Sequence, residues 1–164
     1  MNVIELTNLR KIYRETEVEV KAVDGIDLAV AQGEFTAIVG PSGSGKTTLL
    51  NLIGGLDSPT DGKVVLDGVA LGLLSSSQLI DFRLRNIGFV FQSYNLIPVL
   101  TAQENVEFIM HLQGVPKLER RERAQSLLAA VGLGDRLNSR PSKLSGGQQQ
   151  RVACSGGAGA GFAS

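Results

Sequence analysis

One stretch decides the fold of this chain: Gly40-Pro41-Ser42-Gly43-Ser44-Gly45-Lys46-Thr47. It matches G-x-x-x-x-G-K-[ST], the phosphate-binding P-loop. Glycines let successive backbone N–H groups converge on a phosphate, and the lysine reaches the β- and γ-phosphates. The threonine hydroxyl suits Mg²⁺, which takes few protein ligands. The alternative is a glycine-rich turn that contains a lysine by chance, which composition alone gives in roughly one per cent of such sequences.

The surroundings of this loop predict alternating strands and helices. A short apolar run before it, residues 35–39, is typical of a buried strand, and residues 47–53 after it have helical spacing. Asp24-Gly25 is a turn signal between two alternating segments. Strands are predicted at 3–6, 18–23, 26–30, 35–39, 63–66 and 87–91.

Helices are predicted in the later part of the chain. Ser75-Ser76-Ser77 can cap a helix that ends near Leu84. Thr101 and Glu104 have capping-box spacing, and a further helix follows Pro116. The chain thus has strands early, a strand–loop–helix unit in the middle and helices late. This order of elements predicts an α/β fold.

Composition excludes several classes of protein. The 164 residues suit one domain, with 43% apolar and 20% charged residues. Sixteen basic residues balance sixteen acidic ones, which argues against broad binding to nucleic acid. One cysteine excludes an internal disulfide framework. The start lacks a signal-peptide pattern and no apolar run is long enough to span a bilayer, so we expect a cytoplasmic protein.

A second motif, Leu144-Ser145-Gly146-Gly147-Gln148, precedes the end of the chain. Ser145 is a good N-cap, and two glycines remove side chains from the first helical turn. A helix start of this kind can approach a phosphate closely. The alternative is a plain capped helix.

The order of these motifs resembles the ATP-binding subunit of ABC transporters. The P-loop, Gln92 after an apolar run, and Leu-Ser-Gly-Gly-Gln followed by residues 149–153 carry the resemblance, which covers about residues 1–154. The sequence of residues 91–98 and 100–107 is most similar to that of the lipoprotein-releasing and macrolide-export branch.

The resemblance implies a P-loop NTPase fold of ABC type. It has an antiparallel β subdomain, a parallel core sheet and a helical subdomain at about 93–144 that docks onto a membrane permease. It also implies ATP and Mg²⁺ as ligands, a homodimer of ATP-binding subunits with no nucleic acid partner, and a place at the inner face of the plasma membrane through the permease.

The resemblance also implies residue roles. Tyr13 would stack on adenine, the loop with Thr48 would hold phosphates, and Thr47 with Gln92 would hold Mg²⁺. Gln92 would also contact the attacking water. The motif Leu144 to Gln148 would act on the other protomer, with residues 145–148 contacting the γ-phosphate bound to that protomer's P-loop. The alternatives are an ordinary strand-end tyrosine for Tyr13 and a strand-capping polar residue for Gln92.

Catalysis in the family needs an Asp-Glu pair after an apolar strand, and no Asp is followed by Glu in this chain. We therefore expect a partial domain, with the C-terminal part of the core missing, that does not hydrolyse ATP by itself. Residues 155–164 are expected to form an unstructured Gly/Ala-rich tail, from a frameshift, a natural truncation or a designed fragment. A non-transport ABC-type ATPase and a non-functional nucleotide-binding remnant stay as alternatives.

Overall fold

The computed structural model describes residues 1–14 and 19–159. They belong to two compact units, Met1–Ile80 and Asp81–Ser164. The strands of the first unit are β1 (Asn2–Tyr13), β2 (Val20–Ala31), β3 (Asp61–Leu66) and β4 (Val69–Ala70), and its helix is α1 (Lys46–Ile53). Helix α2 (Ser76–Asn86) starts in this unit after a 3-10 turn at Leu71–Leu73. The helices of the second unit are α3 (Ala102–Leu112), α4 (Lys117–Ala130) and α5 (Gly146–Gly159), with a 3-10 turn at Pro141–Lys143.

The sheet of the first unit is antiparallel, in the order β2-β1-β3-β4. In β3 the buried Val64 and Leu66 are two residues apart, as on one face of a regular strand, whereas Leu6 and Leu9 of β1 are three apart across a register shift. Asp67 and Gly68, both with positive φ, join β3 to β4 in a tight hairpin turn. The core of this unit consists of Leu6, Leu9, Val23, Val30, Leu49, Leu52, Val64, Leu66 and Leu71.

The turn predicted at Asp24-Gly25 is wrong, because β2 runs through it without a break. Leu9 pairs with Ile26 and Arg10 pairs with Asp24, so Gly25 is an extra residue opposite β1. Gly25 has φ +72°, and glycine reaches this left-handed conformation without steric cost. The glycine therefore marks a β-bulge inside one strand rather than a turn between two.

The strands predicted at 35–39 and 87–91 are also wrong, since neither segment is a strand. Phe35 is 96% exposed and Val39 is 87% exposed. A strand is stable only where a neighbouring strand satisfies its N–H and C=O groups. In the described residues, the only paired strands are β1, β2, β3 and β4. The parallel core sheet expected from the sequence is therefore not formed in residues 1–14 and 19–159.

The second unit is a helical cluster around one apolar core. Ala102, Val106, Met110, Ala124, Leu128, Leu133, Leu144 and Val152 form this core. Thr101 and Glu104 cap α3 in the predicted reciprocal box: the N–H of Glu104 donates to the Thr101 hydroxyl, and the Thr101 N–H donates to the Glu104 carboxylate. Of the helices that the structure describes, none combines the length and apolar character needed to cross a bilayer.

Helix α5 corrects the predicted boundary of the tail. It continues through Ser155 to Gly159, and Ser155 is buried with its hydroxyl donating to the Arg151 carbonyl at 2.9 Å. Bonding of this kind lets a serine lie inside a helix. The unstructured tail thus does not start at Ser155, and residues 160–164 lie outside the described part of the chain.

Candidate nucleotide-binding site

The glycine loop is shaped by two residues in the left-handed region. Gly43 has φ +80° and Gly45 has φ +84°. A Cβ at Gly43 would meet nothing within 4 Å, whereas a Cβ at Gly45 would lie 2.0 Å from the Ala22 carbonyl oxygen of β2. The end of the loop therefore packs directly against the sheet, and only glycine fits there.

Lys46, the first residue of α1, folds back over this loop. Its ammonium donates to the carbonyl oxygens of Gly40 at 2.8 Å and Pro41 at 2.6 Å, and to the Ser44 hydroxyl at 3.3 Å. These three acceptors hold one positive charge within the loop. A phosphate oxygen can accept from the same ammonium.

The start of α1 provides backbone donors beside that charge. Gly45 is the N-cap and has no side chain to accept from the first-turn N–H groups, and no acidic residue lies in the first turn. Uncapped N–H groups and the positive end of the helix dipole favour an anion at this position. Thr47 is exposed, while Thr48 is half-buried.

This donor set fits a triphosphate with a divalent cation. Backbone N–H groups and the Lys46 ammonium suit phosphate oxygens, and the Thr47 hydroxyl is an oxygen ligand of the kind that Mg²⁺ prefers. When bound, Mg²⁺ would neutralise phosphate charge. The residues that would hold the phosphates belong to one short segment.

Tyr13 lies at the end of β1, and its backbone pairs with Val20 of β2. Ala22, which touches the loop at Gly45, is two residues further along the same strand. Two residues of strand span about 7 Å. The backbone of Tyr13 therefore pairs with β2 about 7 Å along the strand from the residue that the end of the P-loop contacts.

The Tyr13 hydroxyl donates to Asp57 at 2.9 Å, and the Lys11 ammonium donates to the other oxygen of Asp57 at 2.6 Å. Burial alone raises the pKa of Asp57, but hydrogen bonds from Lys11, Tyr13 and the Ser58 N–H outweigh it, so the pKa lies below the usual value. Sequence reasoning missed Asp57. In the sequence, Asp57 is only a carboxylate four residues after Ile53, the last residue of α1.

The second motif forms the start of α5. Ser145 and Gln148 cap it reciprocally: the Gln148 N–H donates to the Ser145 hydroxyl at 3.3 Å, and the Ser145 N–H donates to the Gln148 side chain at 2.8 Å. Ser145, Gly146 and Gly147 are exposed, whereas Leu144 is buried in the helical core. The Leu144 side chain therefore packs the domain, while the next three residues offer a bare helix start.

Gln92 is exposed in a turn after the irregular segment 87–91. Tyr94 and Asn95, just beyond it, have positive φ. A Cβ at Gly146 would lie 3.7 Å from the Tyr94 hydroxyl, so the segment after Gln92 and the second motif are neighbours in the second unit.

Asn105 is a further residue that the sequence did not single out. Its side chain accepts from the Ile97 N–H at 2.7 Å and donates to the carbonyl oxygens of Ile97, Leu100 and Thr101. It thereby fixes the loop between Gln92 and α3. A polar residue inside a helical pattern gave no signal of this role.

These features define a P-loop nucleotide-binding domain with an antiparallel sheet and a helical subdomain. Residues 23–155 match the family described as ABC transporter. The chain belongs to this family, and its predicted class is confirmed.

Similar proteins carry related descriptions. An uncharacterised ABC transporter ATP-binding protein of Thermotoga maritima is 56% identical over 151 residues, which are 92% of this chain and 64% of that protein. A macrolide export ATP-binding/permease protein MacB of Brucella melitensis is 53% identical over 149 residues, 91% of this chain and 23% of that protein. The chain therefore spans less than two thirds of either relative.

A solved ATP-binding cassette, described as dimeric in a post-hydrolysis state with ADP and Pi bound, superposes with a TM-score of 0.88. It is 44% identical, and the match covers 94% of this chain and 68% of that one. The predicted ABC-type P-loop fold is thus confirmed.

Proposed function

We propose that this chain is the nucleotide-binding part of an ABC exporter, in which MgATP binding and hydrolysis drive transport by a membrane permease. The observation that carries the proposal is the P-loop: an ammonium held in a glycine loop at the start of an uncapped helix. This arrangement supplies both the charge and the N–H donors that a triphosphate needs.

The proposed ATP site has contributions from two copies. In one copy, the loop from Gly40 to Thr48 holds phosphates and Tyr13 stacks on adenine. The start of α5 from Ser145 to Gln148 contacts the γ-phosphate bound to the other copy. The exposure of Ser145 to Gly147 supports this role, as does the dimeric state described for the solved cassette.

Gln92 is proposed to contact Mg²⁺ and the attacking water, with Thr47 as the other protein ligand. In phosphoryl transfer, catalysis rests on the positions of the metal and the nucleophile. The Asp-Glu pair that supplies much of this in the family is not among these 164 residues. We therefore propose that the chain alone binds MgATP without turning it over.

The transported compound is proposed to leave the cell through a permease that the helical subdomain contacts from the cytoplasmic side. The MacB relatives are described as macrolide export proteins, which favours efflux over lipoprotein release. A long coiled-coil insertion, as in some non-transport ABC proteins, does not fit the compact segment between Gln92 and Leu144.

Calorimetric titration with MgATP tests the proposal. We expect Lys46→Ala to weaken binding by about ten- to a hundredfold, because a charge-assisted contact contributes about 1.5–3 kcal/mol. Lys117→Ala is the matched control, since Lys117 is an exposed lysine on α4, and it should bind as the parent chain does. Equal affinity of both variants for MgATP would refute the proposed site.

A further inference from the structure

Tyr13 is held by a carboxylate to which the proposed function gives no role. The two oxygens of Asp57 accept from different donors: Oδ2 from the Tyr13 hydroxyl and Oδ1 from the Lys11 ammonium. Lys11 also donates to the Ser58 carbonyl at 2.8 Å. Side-chain exposure is only 14% for Lys11 and 28% for Asp57, so water screens this pair weakly.

These contacts fix the orientation of the aromatic ring. The Asp57 bond holds the hydroxyl end of Tyr13, and the Lys11 ammonium lies over one face, 5.0 Å from the ring centroid. A planar base can therefore stack only on the opposite face. The ring is held in one orientation before any ligand arrives.

Helix α1 connects this anchor to the P-loop. Its start is pressed against Ala22 of β2 through Gly45, and Asp57 follows its end, with its N–H donating to the Asn51 carbonyl at 3.3 Å. Gly45, the N-cap of α1, and Asp57, four residues beyond its last residue, thus both contact the β1–β2 ladder. Helix α1, about 12 Å long, thus joins the P-loop to the segment that carries Asp57.

We propose that Asp57 is a positioning residue for nucleotide recognition: through the hydroxyl of Tyr13 it holds the aromatic ring at the place where adenine stacks. The inference rests on the proposed function, in which Tyr13 meets the base. Asp57 itself touches no nucleotide and acts through the tyrosine hydroxyl.

The test measures the contribution of the adenine base to affinity separately from that of the phosphates. Calorimetry on the full chain measures the affinity for MgATP and for magnesium tripolyphosphate, which has no base. The ratio of the two affinities reports the contribution of the base. Stacking of one base on an aromatic side chain changes affinity by roughly five- to a hundredfold, so the ratio is measurable.

Asp57→Asn keeps the size of the side chain but has one acceptor oxygen where aspartate has two, so it cannot serve both donors. We expect it to lower the ratio about three- to tenfold and to change tripolyphosphate affinity less than twofold, since part of the stacking is lost. Tyr13→Phe breaks the same bond without changing charge and should lower the ratio equally. Combined, the two changes should lower it no further.

Two variants complete the design. Tyr13→Leu removes the ring and should abolish the contribution of the base. Asp81→Asn is the matched control, because Asp81 forms an exposed ion pair with Arg85 on α2, and its ratio should be that of the parent chain. Circular dichroism confirms that each variant is folded, and Tyr13→Phe tests the bond even if Asp57→Asn unfolds.

The outcomes distinguish failure of the positioning role of Asp57 from failure of the proposed stacking of Tyr13 on adenine. If Tyr13→Leu leaves the ratio unchanged, Tyr13 does not stack on adenine, and that part of the proposed function falls together with this inference. If Tyr13→Leu lowers the ratio while Asp57→Asn and Tyr13→Phe do not, the stacking stands and the positioning role is wrong. Equal loss of both ligands in Asp57→Asn shows a structural role only and overturns the inference.

Discussion

Replacement of Gly45 by alanine tests how the P-loop is attached to the sheet. The new Cβ would lie 2.0 Å from the Ala22 carbonyl oxygen, more than 1 Å closer than an ordinary contact, and that atom is backbone within β2. The residue would also sit at φ +84°, which costs roughly 1–2 kcal/mol for a residue with a Cβ. Forced overpacking adds about 1–3 kcal/mol. We expect a total loss of about 2–5 kcal/mol of unfolding free energy.

Gly43→Ala is the control that isolates the clash. Gly43 has nearly the same φ, +80°, but its Cβ would meet no atom within 4 Å. Only the conformational cost of roughly 1–2 kcal/mol applies. Urea unfolding followed by circular dichroism measures both variants. If Gly45→Ala and Gly43→Ala lose the same stability, the contact with Ala22 does not shape the loop and the reasoning fails.

Three other measurements probe the helices, the carboxylates and the catalytic capacity of the chain. Thr101→Ala should cost about 1 kcal/mol of unfolding free energy by removing a cap, whereas the exposed Ser126→Ala on α4 should cost little, and equal costs would contradict the capping role. The pKa of Glu104 is lowered chiefly by the Thr101 N–H, and that of Asp57 is lowered as well. The stabilisation from both carboxylates is therefore complete above about pH 4 and is lost as the pH falls through the lowered pKa values. Urea midpoints should drop in acid, and they should drop less in Asp57→Asn. Purified chain should show no Lys46-dependent ATP hydrolysis in a phosphate-release assay, and steady turnover near 1 s⁻¹ would contradict that.

Local signals in the sequence predicted much of the site. The glycines of the loop, the lysine after them and the caps at Thr101 and Ser145 each depend on residues three to seven positions apart. The structure realises these features because their hydrogen bonds close within one turn or one loop. Features of this range need no knowledge of the remaining fold.

Pairing between distant segments could not be predicted in the same way. The apolar run at 35–39 has the composition of a buried strand, but composition does not supply the neighbour whose ladder a strand requires. Gly25 shows the same limit within a strand, because a bulge and a turn both call for glycine at positive φ. Only the register against β1 distinguishes them.

The glycines of the P-loop show why a motif does not by itself reveal what each residue does. Sequence reasoning assigned all of them to phosphate, yet Gly45 lies against the Ala22 carbonyl of β2, a contact between residues 23 positions apart. The fold therefore requires glycine at position 45 before any ligand binds. Gly43, whose absent Cβ would face open space, is constrained only by its positive φ. It follows that loss of nucleotide binding in a Gly45 variant cannot by itself report on phosphate contact, because the loop would already have moved. Gly43→Ala carries only the conformational cost of roughly 1–2 kcal/mol and meets no clash, so loss of nucleotide binding in the folded variant reports more directly on the contact between the loop and its ligand.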